Sequence, residues 1–274
     1  MPTILPIRDA ADPRIAAYRD IRERDLVGRQ GLFVAEGRVV LAMLVAATGY
    51  RAESVLIAAH RLDSLRGLIA PLGDDVPVYA AEQPVLDQIA GFPMHRGILA
   101  IGRRVDPPSP DALLASLPRD ADVLVLGAIA NHDNMGGLFR NAAAFGVGAV
   151  LLDADCCDPL YRKAIRVSVG GVLTVPYAIL DRGDDPVELL ERHGFAPLAL
   201  TPAGAVTLSQ VVPERRNAVL LGAEGPGLAA DLIARARGVR IDMAAGFDSL
   251  NVATTGGIVL HHLAAGRHRS TSSS

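Results

Sequence analysis

The chain has 274 residues, 27 Lys and Arg against 30 Asp and Glu, a net charge of −3 and 50% hydrophobic residues; it has enough apolar surface to exclude a disordered chain, and its length suits one large domain or two small ones. Its two cysteines, adjacent at Cys156 and Cys157, exclude a disulfide framework and a cysteine-based zinc module, and they fit a reducing, cytoplasmic setting. No run approaches 18 apolar residues, and Met1 to Asp12 lacks a basic segment followed by an apolar one, so neither a membrane span nor a signal peptide is expected.

The first hundred residues alternate helix and strand. Pro13 to Val27 is Arg-rich, with Ile15, Tyr18, Ile21 and Leu26 at roughly a helical period. Gly31–Ala35 reads as a strand and Glu36–Thr48 as a helix stopped at Gly49. Ser54–Ala58, Val76–Tyr79 and Gly97–Ile101 read as strands, separated by helices at Arg61–Ala70 and Glu82–Ala90. Residues 1–105 are thus expected to form a small α/β domain. Three prolines within Asp106–Pro110 mark a linker, assigned to 106–120, with a short helix at Asp111–Leu117.

The second half has stronger strands: Val123–Leu126, Ala149–Leu152, Leu173–Tyr177, Pro197–Leu200, Ala218–Leu221 and Val239–Ile241. Helices are expected at Asn134–Phe145, Leu160–Val169, Pro186–His193, Leu228–Arg237 and Leu250–Ala264. Near-continuous apolar strands alternating with helices predict a parallel sheet covered on both faces, over residues 121–266. The Ser- and Arg-rich tail, 267–274, is expected to be disordered.

Ligands of an open parallel sheet bind beyond the carboxyl ends of its strands. Three such loops here are crowded with glycines and polar residues: Gly127–Asn141, Gly222–Leu228 and Asp242–Val252. Each feature has an ordinary reading. Asn131 or Asn134 suits a helix N-cap, as do Ser249 and Asn251 for the last helix, and Arg140 on a helix suits a solvated surface. Their joint appearance at three strand ends favours function. A dinucleotide fingerprint fails, because Gly146-Val147-Gly148 precedes its strand and Leu151 stands at the third glycine position. A P-loop fails because the sole lysine is Lys163, and no Gly-x-Ser-x-Gly elbow occurs. His261 and His262 are adjacent on a helix and diverge, so no metal site is expected.

The three loops resemble the motifs of the SpoU (TrmH) family of RNA ribose methyltransferases, within the SPOUT superfamily. The first motif is matched by Asn134, Gly136 and Arg140, the second by Gly222, Glu224, Gly225 and Gly227, and the third by Ile241, Met243, Ser249, Leu250, Asn251 and Val252. Arg166, Ser168 and Gly170 match a further stretch. The sequence departs from the family at Asn131-His132, where Asp-Pro is usual, and at Asp242, where Pro is usual. The N-terminal half, through its Arg-rich first helix and Gly31–Gly37, more weakly resembles the L30e-like RNA-binding domain often joined to this family.

The resemblance implies an α/β fold with a deep trefoil knot in the C-terminal domain, a homodimer, and S-adenosylmethionine as methyl donor without a metal. It implies donor contacts from Thr201, Gly222, Ala223, Ile241, Met243 and Leu250, and chemistry at Arg140, Asn134, Glu224, Ser249 and Asn251. The reaction it implies is methyl transfer to a ribose 2′-hydroxyl of tRNA or rRNA. A guanidinium keeps its proton, so Arg140 is assigned to clamping a phosphate and polarising the 2′-oxygen. Asn134 would orient Arg140 or the ribose, Glu224 the catalytic loop, and Ser249 and Asn251 the third loop. RNA contacts are expected from Arg19, Arg22, Arg24 and Arg29, and from Arg162, Lys163 and Arg166. The alternative reading is a knotted RNA-binding module without catalysis.

Overall fold

The structure is a computed structural model that describes residues 2–19, 31–91, 94, 96–223, 225–247 and 249–271. The chain forms two compact units. The first comprises Met1–Pro107 and Asp158–Thr174, and the second Pro108–Cys157 and Val175–Ser274.

The first unit is a five-stranded sheet: β1 (Ile4–Ile7), β2 (Leu32–Glu36), β3 (Tyr50–Ala58), β4 (Val78–Ala81) and β5 (Ile98–Arg104), in the order β1-β4-β3-β5-β2. The pairs β1–β4 and β3–β4 are parallel, and β5 runs antiparallel to both β2 and β3. Helices α1 (Arg38–Ala46), α2 (Leu62–Ile69) and α3 (Gln83–Ala90) join the strands. The core is aliphatic around Ile7, Ile15, Leu56, Leu86 and Ile101, as expected of a chain without Trp. The later helix α6 (Arg162–Val167) packs on β2, where Arg162 Nη2 meets Glu36 Oε2 at 2.9 Å. The Tyr50 hydroxyl donates to the Val172 carbonyl at 3.2 Å. The segment Asp158–Thr174, expected in the second domain, thus groups with the first unit.

The second unit holds a seven-stranded sheet, β10-β12-β9-β11-β6-β7-β8, with every pair parallel. Its strands are β6 (Val123–Leu126), β7 (Ala149–Leu152), β8 (Tyr177–Ile179), β9 (Ala196–Leu200), β10 (Val206–Thr207), β11 (Asn217–Leu221) and β12 (Arg237–Arg240). β6, β7 and β11 are buried along their whole length, which explains their continuous apolar runs. Its helices are α4 (Pro110–Ser116), α5 (His132–Ala144), α7 (Pro186–Arg192), α8 (Ala230–Arg235) and α9 (Val252–Thr271). α5 and α9 pack at glycines: a Cβ on Gly137 would lie 2.8 Å from Ala253 Cβ, and one on Gly256 2.7 Å from Leu138 Cδ2.

At the amino ends of the strands, Asp122 is 2% exposed. Its Oδ1 accepts from the Asn217 backbone at 3.2 Å and from Asn217 Nδ2 at 2.8 Å, and its Oδ2 pairs with Arg267 of α9. The paired guanidinium and the amide donors compensate a carboxylate that would be costly to bury alone.

Several expectations are corrected. The described part of Pro13–Val27 is a 3₁₀ segment, Pro13–Tyr18, with non-helical backbone at Ile15. Leu173–Tyr177 is not a strand: Gly171–Leu173 forms a 3₁₀ turn and pairing begins at Tyr177, after Pro176. Two strands, β1 and β10, went unread. α9 continues past Gly266 to Thr271, into the stretch expected to be disordered.

Candidate active site

Within the second unit, β6 and β11 are central neighbours, and the order turns back around them. That is where an open parallel sheet leaves a crevice beyond its carboxyl ends. Gly127 N donates to the Leu221 carbonyl at 2.9 Å and ties the two strand ends together. The chain then passes through Ala128 at φ 52°, with its N–H held by Asp153 Oδ2 at 2.8 Å. Asn131 caps α5 by accepting from Asp133 N at 2.7 Å, so the ordinary reading of that asparagine holds.

Asn134 is different. It is buried, and its Oδ1 accepts from Asn251 Nδ2 at 2.8 Å. Asn251 also caps α9, its Oδ1 receiving Ala253 N at 2.9 Å and Thr254 N at 3.2 Å. The first and third motifs therefore meet at one amide–amide bond. Asn141 Nδ2 adds a second link, donating to the Ala253 carbonyl at 2.7 Å. Arg140 lies on the solvent side of α5, exposed and in no ion pair among the described residues. A charged side chain pointed at water is ready for an anion.

Beside this junction is a cavity of about 410 Å³. It takes in Thr201, Gly222, Ala223, Ile241, Met243 and Leu250, the six residues expected to contact the donor, together with Ser249 and Asn251. Leu200, Leu221 and Val239 give it apolar walls. Sequence reading missed Pro202 and Thr255 on its lining. Thr255 follows Asn251 by four residues, one helical turn, and that spacing was the available signal.

Glycines shape the cavity. A Cβ on Gly222 would stand 2.2 Å from the Gly227 carbonyl carbon and 2.3 Å from Leu228 N, so only a bare backbone fits. Gly227 N donates to the Ala223 carbonyl at 3.0 Å and closes the loop, while Gly225 and Gly227 take φ of 92° and 71°, conformations that favour glycine. A Cβ on Gly204 would similarly meet the β12 backbone, 2.5 Å from the Val239 carbonyl carbon.

Not every candidate falls here. Glu224, Arg22, Arg24 and Arg29 lie outside the described residues. Arg166 is exposed on α6 in the first unit. His261 packs edge-on against Phe145 at 5.8 Å, and His262 Nε2 donates to the Val211 carbonyl at 2.8 Å. Among the described residues no group of three or more His, Cys, Asp or Glu could hold a metal ion, and no helix is long and apolar enough to cross a membrane. Burial pushes the Cys156 thiol up to about 12, with its Sγ 3.3 Å from Ile129 N and from the Leu126 carbonyl.

Comparison with known proteins points to the same family. Residues 122–261 match the model of the SpoU rRNA Methylase family. A protein of Mycobacterium bovis named as an uncharacterized tRNA/rRNA methyltransferase is 40% identical over 272 residues, covering 95% of this chain and 91% of that one. The 23S rRNA (guanosine-2'-O-)-methyltransferase RlmB of Nitrosomonas europaea is 31% identical over 186 residues, 65% of this chain and 70% of its own. The AdoMet-bound rRNA methyltransferase of Sinorhizobium meliloti superposes with a TM-score of 0.80 at 20% identity, over 97% of this chain and 98% of that one. With three motifs joined in one site and a relative 40% identical nearly end to end, the chain belongs to the SpoU rRNA methylase family.

Proposed function

We propose that the protein transfers a methyl group from S-adenosylmethionine to a ribose 2′-hydroxyl of tRNA or rRNA. The observation that carries this reading is the glycine-lined cavity of about 410 Å³ whose rim holds Asn251 bonded to Asn134. The volume suits a nucleoside-sized ligand. Apolar walls beside the bare backbone at Gly222 suit an adenosyl group, so the residues fit the donor. When bound, the donor supplies a methyl group on a sulfonium, an electrophile that needs no metal. The relative named as a guanosine-2'-O-methyltransferase supports the ribose hydroxyl as acceptor.

Thr201, Gly222, Ala223, Ile241, Met243 and Leu250 hold the donor. Arg140 binds a phosphate of the RNA and polarises the 2′-oxygen, and the hydroxyl proton leaves to water or phosphate. Asn134 and Asn251 fix the start of α5 against the start of α9, which sets the direction from which Arg140 reaches the ribose. Ser249 holds the third loop and Glu224 the second. Catalysis on this reading is mainly orientation. Arg166, with Arg22, Arg24 and Arg29, contributes phosphate contacts. The reading includes the domain division at 106–120, an L30e-like first domain, a trefoil knot in the second, a homodimer and a cytoplasmic location.

The test is transfer of labelled methyl from S-adenosylmethionine to total RNA, with Arg140→Ala beside it and 2′-O-methylated nucleosides assayed in separated tRNA and rRNA. Label in one pool, lost in the variant while donor binding persists, is the expected result. Wild-type turnover by the variant removes Arg140 from the chemistry. Donor binding that fails in the wild type favours a non-catalytic RNA-binding module.

A further inference from the structure

The loop from β6 into α5 is gripped by the loop that follows β7, and the proposed chemistry gives that second loop no role. Both lie in the second unit. Asp153, the first residue after β7, donates its N–H to the Leu126 carbonyl at 3.0 Å. Its Oδ2 accepts from Ala128 N at 2.8 Å, and its Oδ1 accepts from Asp155 N at 3.0 Å. Ile129 N donates to Cys156 Sγ at 3.3 Å, and the Cys156 thiol donates to the Leu126 carbonyl at 3.3 Å. Cys157 N donates to the Ile129 carbonyl at 2.8 Å. The β7 loop thus holds the backbone at Leu126, Ala128 and Ile129 at once.

The backbone under this grip is unfavourable by itself. Ala128 takes a φ of 52°, a left-handed conformation that brings an alanine Cβ too close to its own backbone. Such a residue persists where its surroundings over-determine it. The start of α5 supplies no such constraint. Helices α3, α4 and α7 each carry a proline in the first turn, which fixes φ there, whereas α5 begins with His132.

The turn at Ala128 leads directly into α5, which carries Asn134 and Arg140. The donor cavity takes none of its described lining from residues 127–131. A relaxed turn therefore shifts the start of α5 and leaves the walls around the donor in place.

We infer that Asp153 is a positioning residue for methyl transfer: its carboxylate keeps Ala128 left-handed and so fixes the line along which α5 brings Arg140 to the RNA. This role depends on the one proposed above for Arg140.

The test compares the full-length wild type with Asp153→Ala, Asp153→Asn, Ala128→Gly and the double variant Asp153→Ala/Ala128→Gly. Three quantities are measured: turnover at saturating donor and total RNA, donor affinity by calorimetry, and amide hydrogen exchange over residues 126–131. Asp153→Ala is expected to lose about tenfold or more in turnover, with donor affinity within about twofold of wild type. Asp153→Asn keeps an acceptor oxygen and most of the turnover. Glycine accepts a positive φ without steric cost, so Ala128→Gly alone stays near wild type. In the double variant it restores part of the turnover and slows exchange again. A merely structural loss is not rescued by a change that adds no contact. Wild-type turnover in Asp153→Ala overturns the role, as does a double variant no faster than Asp153→Ala. Donor affinity that falls in step with turnover also overturns it, by reducing Asp153 to general support of the fold. Wild-type protein that transfers no methyl defeats the proposed function instead, and exchange still decides the grip. Faster exchange in Asp153→Ala, reversed by Ala128→Gly, supports it, and unchanged exchange overturns it.

Discussion

Asn251 Nδ2 donates to Asn134 Oδ1 at 2.8 Å, across 117 positions of sequence, while Asn251 Oδ1 caps α9. One side chain thus uses its acceptor to start a helix and its donor to fix that helix to another. Substitutions separate the two roles. Asn251→Asp keeps an oxygen for the cap and removes the donor, so its stability is expected to stay within about 0.5 kcal/mol of wild type, while methyl transfer falls at least tenfold. Asn251→Ala loses both and is expected to cost about 1 kcal/mol more. Urea melts beside transfer assays check both, and full activity in Asn251→Asp removes the amide bond from the mechanism.

The second motif depends on the space at Gly222. Its Cβ would fall 2.2 Å from backbone, and backbone cannot swing aside as a side-chain tip can. Gly222→Ala is therefore expected to displace the Gly222–Gly227 loop and weaken donor binding at least tenfold by calorimetry. Gly146, with nothing within 4 Å of an added Cβ, serves as the control: Gly146→Ala is strained by its φ of 69° but leaves donor binding intact.

The Asp122–Arg267 pair predicts a stability effect far along the chain from the motifs. Arg267→Ala strands a carboxylate that is 2% exposed and is expected to cost about 3 kcal/mol, the lower end for breaking a buried pair. Adding Asp122→Asn removes the stranded charge and is expected to restore part of that loss. Thermal melts of the single and double variants decide it; additive losses refute the pairing argument.

Cys156 predicts a pH response. Burial raises its thiol to about 12 from its ordinary value of 9.0, so the folded state holds this proton more tightly than the unfolded one. Its contribution to stability is fully present below pH 9 and is lost as pH rises toward 12. In Cys157→Ser protein, thiol reagents at pH 8 are expected to modify Cys156 far more slowly than after unfolding in urea. Equal rates refute the burial.

What the sequence reveals follows from how local each cause is. β6 and β7 were legible to the residue, because full burial turned them into unbroken aliphatic runs. β1 was hidden by Pro6, which an edge strand tolerates because one side of its ladder is open. Leu173–Tyr177 carried strand-forming residues, yet Leu173 and Val175 are buried by packing without a ladder. Asn131 and Asn251 were both legible as caps. That Asn251 also reaches Asn134 depends on the packing of two helices 117 residues apart, which no local pattern encodes.

Asp158–Thr174 packs with the first unit although a stretch of the second, Pro108–Cys157, precedes it. A ribosome therefore cannot finish the first unit when it passes Pro107. β2 waits for α6, and Glu36 for Arg162, until Thr174 has emerged. A fragment ending at Pro107 lacks α6 and with it Arg162, the partner of Glu36, so cutting at the proline linker does not yield two intact halves.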